Sequence, residues 1–312
     1  MTDAKLPLTV DQQIDLLIRR GMAVSDRTQA SHWLRHINYY RLRAYWLPFE
    51  QPAVGQVQPQ EHGFRAGVSF EQVLSIYEFD RALRLLLLDA IDWLETSLRT
   101  QWAHQMALRH GAQAHEQIAL HQDRARHERR LHLLREEYLR SDETFALHHR
   151  LRYPELATPP IWVSSELLTL GQLSRWIADL RHAADRQAIA RAYDLDEVLL
   201  ISFLYRLSLV RNLCAHHGRV WNREFSTTRM KLPRHKPRQV VEAINLQRPD
   251  RLYNALVLLA HVLHRIVPCH DWPRRLRDLM AQATPVMADS MGFPRDWSNL
   301  RFWSDLWSDV GA

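Results

Sequence analysis

The chain reads as all-α on three observations: apolar residues recur at three- and four-residue steps, no stretch keeps the alternation of a half-buried strand, and helix start and stop signals punctuate its 312 residues. Thr9 with Gln12, and Ser69 with Gln72, are capping-box starts. The first predicts a short helix closed by Gly21, and the second a long helix reaching Gly111. Between them residues 51–68, rich in Gln, Gly and Pro, read as a loop. Further helices are expected at about 114–140, 163–181, 185–193, 195–217, 238–247, 250–266 and 274–283. Pro154, Pro159, Pro160, Pro268, Pro273 and Pro285 fall at their ends, where a missing N–H costs least.

The pattern divides at the Gln-rich loop. Residues 1–50 form a small helical unit bearing Tyr39, Tyr40, Tyr45 and Trp46, an aromatic group expected in a core or an interface. Residues 69–223 make an antiparallel bundle, and residues 224–312 a helical tail packed on it. Trp272, Trp297, Trp303 and Trp307 in that tail suggest docking onto the bundle or onto a partner subunit.

With 46% hydrophobic and 24% charged residues the chain can bury a substantial core. Two cysteines, Cys214 and Cys269, exclude a disulfide framework and make a reducing cytoplasm the expected location. No secretory signal opens the chain, and the apolar runs at Leu85 and Ala255 are too short or too interrupted to span a bilayer, so no membrane partner is expected. A nucleophile elbow and phosphate-binding Gly loops are both absent. The formal charge is +6, and the basic side is almost all Arg, with Lys only at 5, 231 and 236. Arg favours phosphate recognition through its planar fork. The densest clusters, RARHERRLHLLR from Arg124 and RMKLPRHKPR from Arg229, are placed to follow a nucleic-acid backbone, although the first also reads as the solvated face of a helix.

One stretch carries chemistry: RNLCAHHGRVWNR, Arg211 to Arg223. Arg followed by His five or six positions on recurs by chance in so Arg-rich a chain, at Arg99, Arg109 and Arg126, but only Arg211 is followed by Asn and by two adjacent His. Leu199, Phe203, Leu207 and Val210 place the motif on a helix, and Gly218 is expected to supply its left-handed stop. His216 and His217 then lie at the negative end of the helix dipole, which favours a cation. At about 100° per residue, Asn212 lies about 40° from His216 and can orient its ring, while Arg211 lies about 140° away. A two-fold pairing of this helix brings two Arg and two His pairs to one groove, so a homodimer is expected.

Cutting RNA without a metal needs a base for the 2′-hydroxyl, an acid for the 5′-oxygen, and cations on the phosphorane. His216 supplies the acid or base, Arg211 the bidentate grip on phosphate, and Asn212 the ring tautomer; His217 joins the site or caps a carbonyl. Beyond them Arg219, Arg223, Arg229, Lys231 and Arg234 are the expected RNA contacts. Trp221 either stacks on a base or plugs the core. The reading calls for no cofactor.

At these residues the chain resembles the Abi-like (abortive infection, phage resistance) family of the HEPN superfamily, whose signature is Arg, a polar residue, then His four to six positions on. LTVDQQIDLLIRRGM from Leu8, NYYRLRAYWLPF from Asn38, FDRALRLLLLDAIDWLETSLRT from Phe79, PPIWVSSELLTLGQLSRW from Pro159 and MGFPRDW from Met291 extend the resemblance. It implies a HEPN-like antiparallel helical bundle with N- and C-terminal additions. The activity implied is that of an endoribonuclease acting in phage defence or as a toxin, with an antitoxin or regulatory RNA as a possible partner. Some superfamily members only bind RNA or protein, which leaves a non-catalytic module as the alternative. Two weaker rivals are a zinc site from Cys214 with His217 or Cys269 with His270, and a second Arg-x4-His site at Arg99 and His104.

Overall fold

The computed structural model describes residues 6–52, 62–226 and 230–308. Among them every regular element is helical, with isolated bridges such as Ala23 to Ser69 in place of strands. The chain forms two compact units, Met1–Leu83 and Arg84–Ala312.

The first unit holds α1 (Val10–Arg19), α2 (Arg27–His36), α3 (Tyr39–Trp46) and the opening turns of α4 (Phe70–His110). Both halves of the Thr9 capping box form, and α1 buries Ile14 and Leu17 from its apolar stripe. Arg20, just past its end, pairs with Glu50, donates to the His62 carbonyl at 2.8 Å and lies 4.6 Å over the Phe64 ring. Tyr45 and Trp46 are buried, as a core aromatic group should be, and the Tyr45 hydroxyl donates to Asp80 at 2.6 Å; Tyr40 stays exposed. Much of the expected Gln-rich loop lies outside the described residues.

In the second unit α4 continues without interruption to His110. It stops where Gly111 takes φ 89°, a left-handed turn that L side chains adopt only under strain. The helix expected at 114–140 is shorter: two 3-10 turns, Ala114–Glu116 and Ile118–Leu120, precede α5 (Arg124–Arg140). Asp123 decides the start by accepting the Arg126 backbone N–H at 2.9 Å. α6 (Thr144–Arg152) was not anticipated; it buries only Ala146 and His149, too narrow a stripe to stand out as a pattern. The helix expected at 163–181 is broken as well. α7 (Ile161–Ser164) runs into a 3-10 turn, and a new capping box at Thr169 and Gln172 starts α8 (Leu170–Ala178).

α9 (Ala183–Arg191) and α10 (Glu197–Ala215) follow, and α10 packs on α8, α9 and α12 (Tyr253–Ile266), burying Leu199, Leu200, Phe203, Leu204, Leu207 and Val210. By length and hydropathy α10 is apolar enough to cross a membrane, which the apolar runs at Leu85 and Ala255 did not suggest. Half of that apolar window is buried within the protein. The tail adds α11 (Arg238–Ala243) before α12, then α13 (Trp272–Met280), α14 (Pro285–Ser290) and α15 (Arg301–Ser308). Its tryptophans serve this unit: Trp272 Nε1 donates to the Leu86 carbonyl at 2.8 Å, Trp303 to the Tyr253 hydroxyl at 3.2 Å, and Trp307 to the Pro273 carbonyl at 3.0 Å. Trp297 sits edge-on between Trp303 and Trp307.

Candidate functional site

α10 starts from Asp196, whose carboxylate accepts the Leu199 N–H at 2.8 Å, and ends with two turn-closing bonds. Gly218 N–H donates to the Leu213 carbonyl at 2.7 Å and His217 N–H to the Cys214 carbonyl at 3.1 Å, the paired pattern of a Schellman end. The left-handed residue is therefore His217, at φ 58°, and not Gly218 as the sequence suggested. Gly218 is small for another reason: a Cβ there would sit 3.1 Å from the Leu213 side chain and 3.3 Å from its carbonyl oxygen. A non-glycine residue held left-handed at a helix end is a strained choice, found often near functional sites.

The turn delivers His216 and His217 to the surface, both exposed, beside exposed Asn212 and Ala215 and half-buried Arg211. The His216 ring makes no hydrogen bond among the described residues. Asn212 does not orient it: its side-chain oxygen accepts from Arg211 Nη1 at 3.2 Å, and only its backbone carbonyl meets His216, through the helical N–H at 3.0 Å. Cys214 is buried in the core.

Arg211 is aimed by a residue the sequence did not single out. Its Nη2 lies 3.6 Å from Glu95 Oε2 on α4, and the other carboxylate oxygen accepts from Arg99 Nη2 at 2.7 Å and from the Leu170 N–H at 3.1 Å. Glu95 is nearly buried, so a carboxylate shared by two guanidiniums and a helix N-terminus is how its charge is satisfied. Glu95 and Arg99 stand four apart on α4 amid Ile91, Leu94, Leu98 and Trp102, all buried. An ion pair inside an apolar stripe was the signal available. The same geometry answers the second Arg-x4-His match: Arg99 is committed to Glu95 and, through Nε and Nη2, to the Leu168 carbonyl at 3.1 and 3.0 Å.

The proposed RNA contacts separate in space. Trp221 is buried and cannot stack on a base, and half-buried Arg219 lies 6.0 Å from its ring. Arg223, the last residue of the motif, is exposed, whereas Arg229 lies outside the described residues. Lys231 and Arg234 line a cleft of about 710 Å³ with Asp196, Val198 and Leu199, at the opposite end of α10. The Lys231 N–H donates to Ser202 Oγ at 3.0 Å, fourteen residues before His216, or about 21 Å along the helix axis. Among the described residues no three His, Cys, Asp or Glu side chains converge as a metal site, so neither Cys214 with His217 nor Cys269 with His270 gains further ligands.

A second group of histidines is sealed in the core. His115, His121 and His127 are buried, with the His121 and His127 rings stacked at 4.2 Å. Burial holds His115 down to about 4 and His121 to about 3, the latter aided by neighbouring His127 and Arg130. His127 Nε2 lies 2.8 Å from the His115 carbonyl, and Ser164 Oγ 3.2 Å from His115 Nε2.

A family model described as Abi-like protein matches residues 32–222, more than half of the chain, from within α2 to one residue short of the motif's end. The opening LTVDQQIDLLIRRGM and closing MGFPRDW stretches lie beyond that match. Searches of curated proteins and of solved structures found no match. The chain belongs to the Abi-like family, and its general setting is abortive infection, the defence against phage.

Proposed function

We propose that the protein is a metal-independent endoribonuclease of the HEPN type, acting in the cytoplasm in phage defence or as a toxin. The observation that carries this is the end of α10, whose last turns hold both Arg211, 3.6 Å from Glu95, and an exposed His216 whose ring makes no hydrogen bond among the described residues. In the reaction the 2′-oxygen attacks phosphorus as a base takes its proton, and the bond to the 5′-oxygen breaks as an acid protonates it. The products are a 2′,3′-cyclic phosphate and a 5′-hydroxyl. Arg211 stabilises the non-bridging oxygens, keeping Asn212 as its companion.

One His216 per chain leaves one proton transfer unserved, and a homodimer supplies the other. Val198, Tyr205, Leu209, Asn212 and His216 fall within about 40° of one line along α10. Val198 and Tyr205 are more than half exposed and Leu209 partly so. A two-fold axis near Asn212 covers this apolar stripe and brings two His216 to one groove, which each Arg211 reaches from about 140° round its helix. An antitoxin or regulatory RNA then has that groove to block.

The test is incubation of the purified protein and its His216→Ala variant with labelled RNA in excess chelator, with product ends mapped. The expected products are cyclic phosphate and 5′-hydroxyl ends from the parent alone. Intact RNA with the parent, alongside RNA affinity equal in both proteins, would instead support the non-catalytic RNA-binding alternative.

A further inference from the structure

We infer that the arginine cleft between α5 and α8 holds the phosphates of the single-stranded RNA that runs away from the Arg211 clamp, an inference that rests on the RNA reading above. The cleft has a volume of about 410 Å³ and is lined by Arg126, Arg129, Arg130 and Arg175 over an apolar floor that includes Leu134 and the edge of Trp176. Among the described residues no carboxylate lines it. Arg126 is balanced by Asp123 at 3.0 Å and Arg130 by Asp179 at 2.7 Å. Arg129 and Arg175 are exposed and, among the described residues, have no ion-pair or hydrogen-bond partner. Two guanidiniums without a direct ion pair among the described residues thus face one cavity, with Asp123 near enough to feel the charge of Arg129.

Local preference argues against such a placement unless an anion comes to it. α5 opens with Arg124, Arg126, Arg129 and Arg130 against a single Glu128 in its first two turns, and Asp123 is its N-cap. Cations there oppose the positive end of the helix dipole, where anions are favoured. Asp123 at the N-cap and Glu128 answer part of this charge, pairing with Arg126 at 3.0 Å and Arg124 at 2.8 Å, and leave Arg129 and Arg175 on the cleft without an ion pair among the described residues. The dipole and the guanidiniums add to one positive well, and half-exposed Leu133 on the rim offers apolar surface to a sugar or base.

The cleft adjoins the clamp through one turn of chain. Leu168 lines the cleft while its carbonyl accepts from Arg99, and two residues on the Leu170 N–H donates to Glu95, which holds Arg211. On this inference a strand with its scissile phosphate on Arg211 passes its neighbouring phosphates to Arg129 and Arg175.

The experiment measures binding of a labelled single-stranded RNA by fluorescence anisotropy over a salt series, in chelator, on the non-cleaving His216→Ala background. Adding Arg129→Ala and Arg175→Ala is expected to lower the slope of log affinity against log salt by about 1.4, from about 0.7 per phosphate contact. Between about 50 and about 200 mM salt the background protein then loses roughly seven-fold more affinity than the triple variant. Arg140→Ala with Arg301→Ala, exposed arginines outside the cleft, is expected to leave the slope unchanged. An equal fall with that control pair overturns the inference, as does an unchanged slope in the cleft variant. If ATP is then found to need Arg129 and Arg175 while RNA does not, the cleft belongs to a free nucleotide. Cleavage is read separately on the parent background, so a slope that falls with no cleavage by the parent sinks the nuclease reading alone.

Discussion

Two sets of histidines in this protein have opposite fates. His216 and His217 stand exposed on the turn that ends α10, while His115, His121 and His127 are sealed beneath α5 and α8. The same side chain is open to solvent in one place and part of the packed interior in the other. The difference lies in water, since burial disfavours the imidazolium of His115 and His121. Richness in histidine therefore says little about chemistry here, and the termination of a helix says much.

The sharpest way to break this contrast is His216→Ala, which is expected to lower cleavage by roughly 10²- to 10⁴-fold with an unchanged melting temperature, read by single-turnover RNA cleavage and calorimetry. His104→Ala, on the Arg99 copy of the spacing, should leave cleavage within about two-fold. Equal losses from both would erase the distinction between an interrupted and a continuous helix.

Acid should act on the buried set. His115 and His121 have folded pKa values of about 4 and 3, below the ordinary 6.5, so the unfolded chain binds more protons between those limits. Stability is complete above about pH 6.5 and falls as pH drops toward 4, by roughly 2–3 kcal/mol for each group. Urea melts at both ends of that window test the slope, and His121→Phe should flatten it without altering cleavage. A flat profile in the parent would show that water reaches these rings.

Glu95→Ala leaves Arg99, Arg211 and the Leu170 N–H without their shared acceptor, and is expected to cost roughly 2–3 kcal/mol, seen as a shifted urea midpoint. Cleavage should fall with it, because Arg211 loses its aim. The smallest effect belongs to His217→Gly, which relieves left-handed strain and should stabilise the fold by about 0.5–1 kcal/mol. Full cleavage in that variant makes His217 a turn residue, and lost cleavage returns it to the catalytic set.

Much of this was legible in the chain. The Thr9 box, the run from Ser69 to Gly111 and the apolar steps of α10 are local signals, since capping and 3.6-residue periodicity act within a few residues. So is the Arg211, Asn212 and His216 grouping at a helix end. The breaks at Asp123 and Thr169 were missed because each cap interrupts a pattern whose apolar steps continue on both sides. Glu95 was missed because its meaning depends on Arg211, far off in sequence. What the sequence determined alone is an all-helical chain with a reactive-looking helix terminus. Only tertiary structure decided that Asn212 serves Arg211 and not the ring of His216, that Trp221 is core, and that Lys231 and Arg234 stand at the far end of α10. Side-chain partners across helices are chosen by packing and by the need to satisfy buried charge, and neither is written in spacing along the chain.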